Sequence, residues 1–148
     1  MLIAEMAATY KLEGKTLGDV MDELYAKYGC YVAGQRSVNF TSDAQKAACM
    51  ALLDQFRAQP PKELGGFAVT AVADYKEGVI KEVAGSVRPT GLPKENMVML
   101  DFGDKGRIVL RPSGTEPKIK FYYTACAPTM DGANAMIARM DEAMSKLV

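Results

Sequence analysis

The segment Arg111-Pro112-Ser113-Gly114-Thr115-Glu116-Pro117-Lys118 holds the residue types best suited to chemistry in this chain. Arg111 can offer a planar, two-pronged donor to a phosphate group. Ser113 and Thr115 add hydroxyl donors. Gly114 permits a positive φ, so that successive backbone N–H groups could converge into a concave nest for an oxyanion. Pro112 and Pro117 donate nothing, but they stiffen both shoulders of the loop and lower the ordering entropy on binding. Lys118 and Lys120 share one face of the segment that follows and add positive charge. Two considerations weigh against a binding role. Pro, Ser, Gly and Thr together are what any tight connection uses, and Glu116 repels a phosphate unless it is turned away or paired with a cation. The spacing matches neither the GxxxxGK[ST] phosphate loop nor a dinucleotide fingerprint.

The rest of the composition narrows the chemistry. The 148 residues carry 18 Lys and Arg against 18 Asp and Glu, no His, no Trp and three Cys. Without histidine, neither a Ser-His-Asp nor a Cys-His centre can be assembled from this chain. Cys30, Cys49 and Cys126 are odd in number and widely spaced, so they form no zinc pattern and no paired framework. They read as buried free thiols of a protein in the reducing cytoplasm. Asp101, Asp104 and Asp131 are scattered, so no metal site is expected within the chain. Zero net charge and the lack of a basic stripe argue against a nucleic-acid partner. No apolar run approaches the roughly 18–20 residues of a membrane span. Met1 is followed by an amphipathic pattern rather than by the charged and apolar regions of a signal peptide.

The elements that position the loop follow from periodicity. Leu2, Ile3, Met6, Ala7 and Tyr10 recur at helical spacing up to Gly14. Thr16 caps a second helix, with Asp19 in its first turn, a stripe of Leu17, Val20, Met21, Leu24 and Tyr28, and Gly29 at its C-terminal cap. Residues 30–40, with Gly34, read as a connector. Ser42 and Gln45 make a capping box for a third helix whose buried side is Ala48, Leu52, Leu53 and Phe56, stopped by Pro60 and Pro61.

The period then changes to two. Phe67 to Tyr75 reads as one strand, and it could return through Val79 and Val83 across a turn at Lys76-Glu77-Gly78. Residues 85–96, rich in Gly and Pro, read as a loop. Its stretch Arg88–Lys94 echoes the 111–118 loop, but the flanking residues do not match and it reads as a connector. Met97–Phe102 and Arg107–Arg111 form a hairpin across Gly103–Gly106. Along Lys118–Ala125, Ile119, Phe121 and Tyr123 point one way, with Lys118, Lys120 and Tyr122 the other. Pro128-Thr129 opens a last helix with Met136, Ile137, Met140, Met144 and Leu147 as its stripe. The expected fold is α+β: an antiparallel sheet of four or five strands with helices packed on one face, preceded by two helices.

The string RPSGTEPKIKFYY, Arg111 to Tyr123, resembles the phosphate-binding loop in the last domain of the α-D-phosphohexomutases, a family that includes phosphoglucomutases and phosphomannomutases. Met1 to Gly29 resembles the end of the third domain and the helices leading out of it. Leu92-Pro93-Lys94-Glu95-Asn96 resembles the segment before the hairpin. The resemblance implies a four-domain enzyme that moves a phosphoryl group between the 1- and 6-positions of a hexose through a bisphosphate intermediate. It places a phosphoserine loop in the first domain, a magnesium-holding carboxylate triad in the second and a sugar-reading loop in the third.

None of those motifs stands in these 148 residues, so the chain reads as a carboxy-terminal piece, inactive alone. Residues 1–40 would close the third domain and residues 41–148 would form the fourth, which in this family resembles the TATA-binding-protein fold. Magnesium is expected only in the full-length parent. Carried over by position, Arg111, Ser113, Gly114 and Thr115 match the residues that hold the non-transferred phosphate. Lys120 stands where relatives often carry Arg, and Lys118 is a further candidate. The expected partners are a hexose phosphate and the remaining domains of the parent, with self-association through the apolar face of Met1–Tyr28. A freestanding phosphate- or phosphosugar-binding regulatory module is the alternative, and a structural or dimerisation unit a third reading.

Overall fold

A computed structural model describes residues 1–148. Along the chain run α1 (Leu2–Leu12), α2 (Leu17–Tyr28), β1 (Cys30–Asn39), α3 (Asp43–Ala58), β2 (Glu63–Leu64), β3 (Phe67–Ala68) and β4 (Ala71–Asp74). There follow β5 (Val79–Glu82), β6 (Val87–Pro89), β7 (Val98–Asp101), a 3-10 turn at Gly103–Lys105, β8 (Gly106–Pro112), β9 (Lys118–Ala127) and α4 (Met130–Ser145). Seven strands form one antiparallel sheet in the order β1-β9-β8-β7-β4-β5-β6, and β2 and β3 make a separate two-stranded ribbon.

Strict alternation builds the sheet's inner face. Ile119, Phe121 and Tyr123 of β9 register with Pro112, Leu110 and Ile108 of β8, and Leu110 and Ile108 register with Val98 and Leu100 of β7. These positions lie on the buried side because residues paired across a ladder share a face. Cys49, Leu52, Leu53 and Phe56 of α3 and Met140 and Met144 of α4 close over them. Both long helices therefore cover one face, as the α+β pattern requires. Thr129 caps α4 by accepting from the N–H of Gly132 at 3.1 Å. Thr16 and Asp19 complete a full capping box at α2.

The sheet is wider than the four or five strands expected, for two reasons. Residues 30–40 are not a connector: Cys30–Asn39 is a ten-residue edge strand paired along the whole of β9. Gly34, which suggested a loop, is there because Ile137 of α4 packs over it; a Cβ at that position would lie 3.0 Å from the Ile137 side chain. Residues 87–89, inside the expected loop, form the opposite edge strand. All three are exposed, so they leave no burial pattern to read, and Pro89 is tolerated because an edge strand has an unpaired side.

Phe67–Tyr75 is likewise two strands rather than one. The chain shifts phase at Val69-Thr70: Phe67 and Val69 are buried, then Val72 takes over in the sheet. At α3, Ser42 accepts from the Gln45 N–H at 3.2 Å, but the Gln45 side chain reaches back to the Thr41 N–H at 2.8 Å instead of closing a box on Ser42. Helices α1 and α2 contribute no buried residue. Leu2, Ile3 and Leu12 are 71, 71 and 92% exposed.

Candidate functional site

The loop 113–117 joins β8 to β9, neighbouring strands that lie just inside the β1 edge of the sheet. Its backbone is tied down on both sides. The Ser113 N–H donates to the Lys118 carbonyl at 2.9 Å, and the Phe40 N–H donates to the Pro117 carbonyl at 2.8 Å. The Ser113 hydroxyl accepts from the Glu116 N–H at 3.2 Å, which leaves its own proton available to a ligand. Gly114 and Thr115 stand exposed at the tip.

The register of β8 and β9 places Arg111 directly opposite Lys120. Both lie on the face away from α3 and α4, since Leu110 and Phe121 beside them point into the core. No carboxylate forms an ion pair with either. Lys118 differs. Its ammonium sits 2.6 Å from Glu116, and that hydrogen bond, followed by the cation's charge, holds the Glu116 carboxyl below the usual carboxylate range. The pair answers the objection raised by Glu116: its charge is matched by Lys118, and the positive charge left over at the loop belongs to Arg111 and Lys120.

These groups surround an open cleft of about 470 Å³ lined by Arg111, Pro112, Ser113, Gly114, Thr115 and Lys120, together with Glu95, Asn96 and Tyr122. Five of the six residues singled out in the sequence thus come together, and Lys118 stays outside the lining. One local expectation fails. Gly114 does not adopt a left-handed φ, although nine other glycines do, so no nest is built on it. A Cβ there would meet nothing within 4 Å, so neither strain nor crowding in the free protein demands glycine.

Sequence reasoning missed Glu95, Asn96 and Tyr122 as lining residues. Tyr122 was legible, because it shares the outward parity of Lys120 on β9. Glu95 and Asn96 were not, because only the fold brings the segment before β7 beside the 111–117 loop.

The cleft provides two unpaired cations, two hydroxyls and exposed backbone at the loop tip. That set suits a phosphate ester, held by charge-assisted hydrogen bonds. No three His, Cys, Asp or Glu side chains converge on a point where a metal ion could sit. No helix is long and apolar enough to cross a membrane. All three cysteines are free thiols.

Residues 51–142 match the family model described as phosphoglucomutase/phosphomannomutase, C-terminal domain. A phosphoglucomutase of Staphylococcus aureus (strain bovine RF122 / ET3-1) is 36% identical over 141 residues, covering 92% of this chain and 25% of the relative. That of strain USA300 is similar to the same extent, and that of strain MRSA252 is 35% identical over 141 residues. The chain thus spans about a quarter of the length of the curated relatives it matches.

Proposed function

Since the chain belongs to the phosphoglucomutase/phosphomannomutase family and corresponds to its C-terminal domain, we propose that it grips the non-transferred phosphate of a hexose phosphate during reversible transfer of a phosphoryl group between the 1- and 6-positions. The observation that carries the reading is the cleft itself: Arg111 and Lys120 facing the same space without ion-pair partners, beside the Ser113 hydroxyl and the Gly114–Thr115 tip.

In this reading Arg111 takes two phosphate oxygens through its planar fork, and Lys120 neutralises the remaining charge. Ser113 and Thr115 donate their hydroxyl protons, and the Gly114 backbone approaches the ester closely. Lys118 holds Glu116 away and serves the loop rather than the ligand. Transfer of the other phosphoryl group belongs to parts of a full-length enzyme outside this chain. What this domain supplies is orientation: a fixed second phosphate aims the reacting end of the sugar.

The strength of the grip matters. A bisphosphate must turn over between half-reactions, so each end must be released in turn. A few charge-assisted hydrogen bonds, each about 1.5–3 kcal/mol when sheltered and weaker in an open cleft, meet that need. Sugar recognition would lie elsewhere, because the lining reads anion charge rather than hydroxyl pattern.

The apolar faces of α1 and α2 would rest against the preceding domain of the parent, with self-association of the isolated chain through Met1–Tyr28 when that domain is absent. Three unpaired thiols favour the reducing cytoplasm as its compartment.

The test is kinetic. In the full-length enzyme, Arg111→Ala raises KM and lowers kcat/KM for glucose 1-phosphate by about 10- to 100-fold. An unchanged kcat/KM removes the phosphate role.

A further inference from the structure

Asn96 lies two residues before β7 and stands against two cavities at once. One is the cleft that holds Arg111 and Lys120; the other, of about 340 Å³, shares Pro112 to Thr115 with it. Its side-chain orientation is fixed by chemistry. The Arg57 Nη2 donates to Asn96 Oδ1 at 2.6 Å. A guanidinium carries donors only, so the atom facing it must be the amide oxygen. The amide nitrogen is thereby turned away from Arg57, and its two hydrogens have no partner within the protein.

Arg57 is itself immobilised. Its Nε donates to Asp74 Oδ1 at 3.2 Å and its Nη1 to Asp54 Oδ1 at 2.8 Å. Asp74 is 3% exposed and its Oδ1 also accepts from the N–H groups of Lys76 and Glu77 at 3.0 and 3.3 Å. A connected run of hydrogen bonds therefore leads from the buried end of β4, through the last turn of α3, to a free amide donor on the wall of the cleft. An exposed asparagine held only for packing would not need such support. A neutral donor also suits its place, because it adds a hydrogen bond for an anion without adding to the repulsion between Arg111 and Lys120.

We propose that Asn96 is a further ligand-binding residue of this cleft, donating its amide N–H to a phosphate oxygen, and that Arg57 is the residue that positions it. The inference rests on the phosphate-binding reading given above and extends it to a segment distant in sequence from the loop.

An NMR-detected titration of the 148-residue chain with two probes, inorganic phosphate and glucose 1-phosphate, tests it. Asn96→Ala weakens both probes by about three- to tenfold, and Asn96→Asp, which puts a negative charge on the wall, weakens them at least as much. Arg57→Lys keeps a cation against Asp74 but loses the fork that reaches Asn96. It weakens both probes to the same degree, and combined with Asn96→Ala it causes no additional loss; a general packing defect would instead add. Arg111→Ala is the reference. If Asn96→Ala binds both probes as the wild type does while Arg111→Ala does not, the Asn96 role is overturned and the loop role stands. If Asn96→Ala weakens glucose 1-phosphate alone, the contact is to the sugar and the proposal is overturned. If the wild type shows no saturable binding of either probe, the phosphate cleft and this proposal fall together.

Discussion

Arg111 and Lys120 face each other directly across the β8–β9 ladder, on the sheet face left open by α3 and α4, and neither has an ion-pair partner. Like charges placed opposite one another at about 5 Å oppose folding. A sheet gains nothing from that arrangement on its own account, whereas a bound dianion would reverse its sign. Lys120→Gln therefore raises the thermal stability of the free chain slightly, by a few tenths of a kcal/mol, and at the same time weakens phosphate binding. Thermal unfolding and titration on the same variant check the opposed signs. A variant that loses stability and keeps affinity would contradict the arrangement's purpose.

Glu116 and Lys118 make a pH-dependent clasp. The Glu116 carboxyl is held below its ordinary value by the Lys118 hydrogen bond first and by the Lys118 charge second. A lowered native value means that the pair's contribution is present above the unfolded carboxylate range, about 4.3, and is lost as the pH falls through the native value. Amide shifts of residues 113–118 followed from pH 7 to pH 2 should report opening of the clasp only below the ordinary glutamate range. Glu116→Gln should abolish that step. An acid step of equal size in the variant would assign it to another group.

Glu95 lines the same cleft as Arg111, and its carboxylate opposes an incoming anion. Glu95→Gln is expected to tighten inorganic phosphate binding about two- to threefold, the size of an exposed charge effect. Raising the salt concentration should shrink the difference between the two proteins, because screening acts on both. Weaker binding by the variant would mean that Glu95 serves the ligand rather than opposing it.

Gly114 is not in the left-handed region, and open space surrounds its missing Cβ. Gly114→Ala should therefore leave the fold intact and raise stability by roughly 0.4–1 kcal/mol through the unfolded chain. Phosphate affinity should nevertheless fall, since the methyl group would stand where the ester approaches the backbone. Urea unfolding and titration separate the two effects.

Phe121 is fully buried in the core, on the strand that also carries Lys120. Phe121→Ala should cost about 3–5 kcal/mol, measurable as a lower urea midpoint, and should loosen the loop through the strand that anchors it. A loss under 1 kcal/mol would show that this core collapses around the gap.

Much of this architecture can be read from residue order, and the exceptions have physical causes. The central hairpin and β9 are legible because one face is buried and the other wet, which imprints a period of two. The caps at Thr16 and Thr129 are legible because so few side chains can serve a helix N-terminus. The edge strands are not. β6 is exposed throughout, and β1 carries a glycine that answers to Ile137 of α4, a contact no local pattern encodes. The same division runs through the cleft. The loop and Lys120 sit within ten residues and announce themselves by type, while Asn96 enters only through Arg57, 39 positions earlier in the chain.

A crystal structure of the chain grown with excess glucose 1-phosphate is the most direct measurement. The account predicts a phosphate between the Arg111 guanidinium and the Lys120 ammonium, within hydrogen-bond distance of the Ser113 hydroxyl and of backbone N–H groups at Gly114 and Thr115. A sugar phosphate bound elsewhere on the chain, with this cleft holding only water and Arg111 turned onto Glu95, would contradict it.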